Sequence, residues 1–276
     1  MPLDKAGTKL KKALTGTIKG AGDVLGATVE TTHDVVVGTL REAGDAVSEV
    51  SNIVSDTLLG AVEAANDVGT GLGSTVKGAV IGSIRGVGEV TTVTAEVISD
   101  TLRAAIRGGA DVGADVGSVT RNAAAGVISA SKDVGMSLQD AAVSVARGAI
   151  LGAHEVGRDL GQTAKSTVTG TISGTEEISG DALRAIRNTA QGLVQGTGEV
   201  GGDITEVTRA TIEGAIEAAG GIGVTAEAAA SAAISGALRA AEEIGGTAVN
   251  SVTGILETTV SGVRVVAEAP FKKKDA

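Results

Sequence analysis

Two stretches carry the residue types of a reaction site. Residues 148–161, GAILGAHEVGRDLG, set His154 beside Glu155 among glycines and alanines, and residues 196–201, GTGEVG, satisfy G-x-G-x-x-G. A histidine beside a carboxylate can move protons near neutral pH or share a metal ion. The glycine pattern can turn a backbone closely around a dinucleotide phosphate. Each chemistry needs more than sequence neighbours. An acid–base or metal centre needs further groups converging on it, yet the chain has no cysteine and only one other histidine, His33. The phosphate turn needs a strand before it, and none precedes Gly196.

The spacing of the surrounding residues explains both stretches. The acidic–apolar step Glu155–Val156 recurs every 22 residues, upstream at Asp133–Val134, Asp111–Val112, Glu89–Val90, Asp67–Val68, Asp45–Ala46 and Asp23–Val24. Downstream it continues as Glu177–Ile178, Glu199–Val200, Gly221–Ile222, Glu243–Ile244 and Val265–Val266. Twelve copies fill residues 14–276 with no insertion or deletion. A second column is bulky and aliphatic and includes Ile84, Ile106, Ile128, Ile150 and Ile172. Two residues before it stands a glycine column: Gly16, Gly38, Gly60, Gly82, Gly126, Gly148, Gly170, Gly192, Gly214 and Gly236, with Ala104 and Thr258 the two exceptions. Four residues after that column the residue is small again, as at Gly20, Gly86, Gly108 and Gly152, except at Glu42. His154 therefore belongs to a variable position on a solvated face. The G-x-G-x-x-G glycines belong to repeat columns. We expect no catalytic, cofactor-binding or metal residues, and no enzyme.

The apolar columns step by four, three, three, four, four and three residues, which is the face of a helix. Twenty-two is twice eleven, and eleven residues over three turns give 3.67 per turn, close to a natural helix. Segments such as GDALRAIRNTA (180–190) are rich in helix formers, and no proline stands between Pro2 and Pro270. The expected fold is all-α: one long amphipathic helix, about 400 Å if unbroken, or stacked helical hairpins. A β-solenoid is the alternative. Glycine pairs at 108–109, 201–202, 220–221 and 245–246 are the candidate turns.

Composition sets what can cover such a helix. The 276 residues include 42 glycines and one aromatic residue, Phe271. Each glycine inside a helix costs about 1 kcal/mol relative to alanine, so a lone rod is poorly ordered and its apolar face must be covered. Small residues four apart let helix backbones approach closely. The glycine and isoleucine columns above are thus a candidate packing seam, within a folded-back chain or between chains. On this reading Gly148→Leu disrupts assembly more than Ser137→Leu, a change on the polar side.

The net charge is −10 and unevenly spread. Five lysines lie in residues 1–19 and three in 271–276, leaving 15 basic and 31 acidic residues between them. That balance disfavours nucleic acid as a partner for the body. Lys9, Lys11, Lys12 and Lys272–Lys274 could dock the ends on an acidic surface or simply solubilise them. No apolar run is long enough to cross a bilayer, which points to a cytoplasmic protein. The boundaries are a basic segment 1–13, the repeat array 14–269 and a basic tail 270–276.

The eleven-residue sub-period, with its shallow face of Val, Ala, Thr and Gly, resembles the perilipins and synucleins, amphipathic-repeat proteins that coat lipid surfaces. The resemblance covers nearly the whole chain in period and style. It implies a helix lying on a weakly charged lipid target, such as a droplet, membrane or storage granule. The polar face departs from those families: Asp23, Asp45 and Asp67 stand where they are rich in lysine, and the lysine-rich motif of the synucleins is absent. The two functional expectations are a structural repeat protein that self-assembles into a bundle, tube, sheet or filament, and a lipid-surface coat.

Overall fold

A computed structural model describes residues 5–19, 22–43, 49–69, 71–256 and 258–267. Gly20, Asp45, Ala46, Lys272–Lys274 and the tail 270–276 lie outside the described residues. Each 22-residue copy is spent on one helix and one turn. The helices are α1 Lys5–Ile18, α2 Val24–Ala43, α3 Val50–Val68, α4 Leu72–Val90, α5 Ala95–Asp111 and α6 Val116–Ser131. They continue as α7 Leu138–Glu155, α8 Leu160–Glu177, α9 Ala182–Glu199, α10 Ile204–Ala219, α11 Ala226–Ile244 and α12 Gly246–Thr253. The chain is all-α and stacked, neither an unbroken rod nor a β-solenoid. α1 takes in residues 5–13 of the basic N-terminal segment.

The breaks follow from two columns that a helical-face reading passes over. Gly69, Gly113, Gly135, Gly157, Gly201 and Gly223 adopt φ between 64° and 70°, a left-handed conformation that ends the preceding helix, and Ser179 takes the same role at φ 53°. Two residues after five of these sites comes an N-cap, namely Asp115, Ser137, Asp159, Asp203 or Thr225, and Asp181 follows Ser179. Each cap side chain accepts a backbone N–H of the first helical turn, for example Asp140 N–H to Ser137 Oγ at 3.1 Å and Arg184 N–H to Asp181 Oδ1 at 3.0 Å. Such caps satisfy donors that the helix itself leaves orphaned. Ser137, taken above as merely polar surface, is one of these caps. Of the glycine pairs proposed as turns, 108–109 lies buried inside α5, 201–202 and 220–221 fall between helices, and of 245–246 only Gly245 does, Gly246 opening α12.

From α1 to α11 each helix packs most extensively on a helix two along, giving an odd layer and an even layer, while α12 packs chiefly on α11. Ile84, Ile106, Ile128 and Ile150 are fully buried between them, and Ile172 nearly so. Burying such a side chain is worth about 1.5–3 kcal/mol, which offsets a helical glycine. The greasy stripe is covered within the chain itself.

The last copy departs from the pattern. Its run TTVSGVRVV (258–266) has Thr258 in the glycine column and is dense in β-branched residues, which favour extended backbone. It forms a hairpin, β1 Thr259–Val260 paired antiparallel with β2 Val263–Arg264, turning at Ser261 and Gly262, both with positive φ. The expectation that Val260 and Val265–Val266 continue a helix is therefore corrected. Val260 and Val265 are buried against the end of the stack.

Candidate functional site

The seam is built from backbone contacts. A Cβ placed on Gly148 would lie 2.5 Å from the Ser99 carbonyl oxygen, one on Gly126 3.0 Å from that of Lys77, and one on Gly214 3.1 Å from that of Lys165. Gly60, Gly82, Gly170, Gly192 and Gly236 likewise sit against a backbone carbonyl of the helix two earlier. The second small column meets the isoleucines. A Cβ on Gly152 would lie 3.4 Å from Ile106 Cβ, on Gly174 2.8 Å from Ile128 Cβ, and on Gly196 3.2 Å from Ile150 Cβ. Among the described residues, only Gly16 and Gly38 of the glycine column lack such a neighbour: no described residue lies within 4 Å of a Cβ on Gly16, and only Lys9 Nζ, at 3.9 Å, near one on Gly38.

The acidic column is not simply solvated. Apart from Asp23 and Asp111, its described carboxylates accept from the helix two earlier and form a ladder along the stack. Glu89 accepts from Arg41 at 2.8 Å, Asp133 from Arg85 at 2.7 Å, and Glu199 from Arg147 at 2.7 Å. Glu155 accepts from both Arg103 and Arg107, Glu177 from Ser129 Oγ at 2.6 Å, and Glu243 from Gln195 at 2.6 Å. Lys77 reaches Glu177 across an intervening even helix. The hydrogen bond from Arg147 to Glu199 raises the pKa of that guanidinium. For Arg103, burial acts to lower the pKa, but the Glu155 and Asp100 carboxylates outweigh it and the net shift is upward. Lys11 is raised first by its hydrogen bonds to Glu63 and Asp67. The signal for this ladder was present at twice the repeat: Arg41 and Arg85 are 44 residues apart, as are Arg103, Arg147 and Gln191.

The two stretches with chemical residue types are absorbed by this architecture. Glu155 is engaged by two arginines, while His154 is exposed in the last turn of α7. In GTGEVG, Gly196 packs on Ile150, Gly198 on Ile244, and Gly201 makes the left-handed turn. His33, on α2, places Nε2 2.9 Å from Glu89 and Nδ1 3.1 Å from Asp34. A groove of about 560 Å³ crosses α5, α7, α9 and α11, but its charged lining is the already paired Arg147–Glu199 and Gln195–Glu243 rungs. Among the described residues no cluster of three or more His, Asp or Glu could hold a metal ion.

No protein-family model matches the chain, and no curated protein matches it in sequence, the perilipins and synucleins included. Among solved structures it is similar to the crystal structure of the de novo designed helical repeat protein DHR7. That match has a TM-score of 0.40 and 23% identity, over 58% of this chain and 91% of that one. No helix among the described residues is long and apolar enough to cross a membrane.

Proposed function

We propose that the protein is a non-enzymatic structural scaffold that associates with copies of itself. The observation that carries this reading is where the repeated groups go. Most of the recurring glycines, isoleucines, capping residues and carboxylates are engaged in helix–helix packing, turns and ladder rungs, which hold a stack in register. The seam column left uncovered is at α1 and α2, at Gly16 and Gly38, and this edge is where a further copy would add. A surface coat would instead need a broad apolar face. The large apolar residues most exposed among those described, Val90, Ile244 and Val266, are scattered.

Light scattering and negative-stain microscopy over a range of concentrations test the proposal. The expected result is particles larger than one chain that grow with concentration, and a weaker tendency to grow in Gly16→Leu. A monodisperse monomer at every concentration would overturn self-association. Circular dichroism with a neutral lipid emulsion separates the lipid-coat alternative: a scaffold already helical in buffer gains no helicity.

A further inference from the structure

The seam runs in two registers within one molecule. From α5 onward the glycine column faces the backbone 49 positions earlier, as Gly126 on Lys77, Gly148 on Ser99 and Gly214 on Lys165. At the N-terminal end the offset is 53: Gly82 meets the carbonyl of Val29, Gly86 that of His33, and Gly60 that of Gly7. The difference is four residues, one helical turn or about 6 Å. α1 and α2 thus sit together one turn out of step with the rest.

One further feature coincides with that step. α4 carries an additional glycine, Gly78, whose added Cβ would lie 2.9 Å from both the Leu25 carbonyl oxygen and Thr28 Cβ. The equivalent positions in α6, α8 and α10 are Asn122, Ser166 and Ala210, which face Gly73, Gly117 and Gly161 of the helix two earlier, whereas α2 has Val29 at that place. Glycines 78, 82 and 86 make a smooth track along which neither register meets a side chain.

We propose that α2 has two seatings on α4, one helical turn apart, and that α1 moves with it on α3 as a sliding end to the array. One-turn slides of packed helices are an established form of conformational switch. Polar contacts hold the observed seating: His33 Nε2 is 2.9 Å from Glu89, and Lys11 Nζ is 3.0 Å from Asp67. In the other seating Leu40 replaces Val36 beneath Gly86, as Ile106 lies beneath Gly152. Asp67 then comes opposite Lys19, the relation that Glu155 has to Arg107.

The chain has no cysteine, so engineered pairs in the full-length protein report the seating directly. Val36→Cys with Gly86→Cys reads the observed one, where a Cβ on Gly86 is 3.0 Å from Val36 Cβ, and Leu40→Cys with Gly86→Cys reads the other. Under mild oxidation both pairs should link, the first in greater yield. Adding His33→Ala, which removes the His33–Glu89 contact of the observed seating, should raise the yield of the second pair relative to the first. Val80→Cys with Gly126→Cys should link inside the stack and Val76→Cys with Gly126→Cys should not. A Leu40–Gly86 pair that never links, with or without His33→Ala, while Val36–Gly86 does, overturns the proposal. If the paired variants do not fold, spin labels at the exposed Glu30 and Ser74 decide it. Two distance populations whose weights move with His33→Ala support the slide, and a single unmoved distance refutes it.

Discussion

At the scale of single residues, glycine has opposite meanings along one column. A side chain at Gly148 would press on the Ser99 backbone, whereas one at Gly16 meets open space. Gly16→Ala should therefore stabilise the protein by up to about 1 kcal/mol through helix propensity alone. Gly148→Ala should destabilise it by about 1–3 kcal/mol, because the crowding outweighs that gain. Chemical denaturation of the two variants checks the signs. The glycine column was legible in the sequence because nothing interrupts its 22-residue spacing. The division of labour among glycines was not. Gly113 and Gly157 end helices while Gly108 and Gly152 lie within them, and a count of glycines cannot tell these apart. The capping aspartates carried the missing signal. Read together with the glycine two residues earlier, Asp115, Asp159 and Asp203 mark three of the breaks.

At the scale of an element, α8 shows why hydropathy understates the core. Its buried stripe is Thr163, Thr167, Thr171 and Thr175, spaced one turn apart. Three of the hydroxyls donate to the carbonyl four residues back, Thr163 to Asp159 at 2.8 Å, Thr167 to Thr163 at 2.7 Å and Thr175 to Thr171 at 2.7 Å. The Thr171 hydroxyl is buried with no hydrogen-bond partner. A buried unpaired hydroxyl costs about 1–3 kcal/mol, so Thr171→Val, of nearly the same shape, should raise stability by about 1 kcal/mol in the same denaturation assay. The period identified these segments as helices. It could not set their length, because a column of period 22 reads alike whether the chain runs straight or folds back at every copy.

At the scale of the whole molecule, charge ties helix to helix. Lys11 bridges from α1 to Glu63 and Asp67 on α3, and its pKa is raised above 10.5 by those hydrogen bonds. A base whose folded pKa is raised contributes stability that is complete below its unfolded value and is lost as the pH climbs through the folded one. Lys11→Met should accordingly be less stable than the parent at neutral pH. Its deficit should shrink as the pH rises beyond about 10.5, and thermal melts across that range check it. A deficit that does not change with pH would assign the effect to packing. The ladder also makes the chain count in pairs. Its phase-matched donors recur at Arg103, Arg147 and Gln191 on odd helices, while the even helices offer Ile81, Ala125 and Thr169 there. Excising residues 138–181, one odd and one even helix, would rejoin like to like and leave a shorter but well-formed particle. Excising only 22 residues would swap the two rows beyond the cut. Length in this protein can thus be edited freely, but only in double steps.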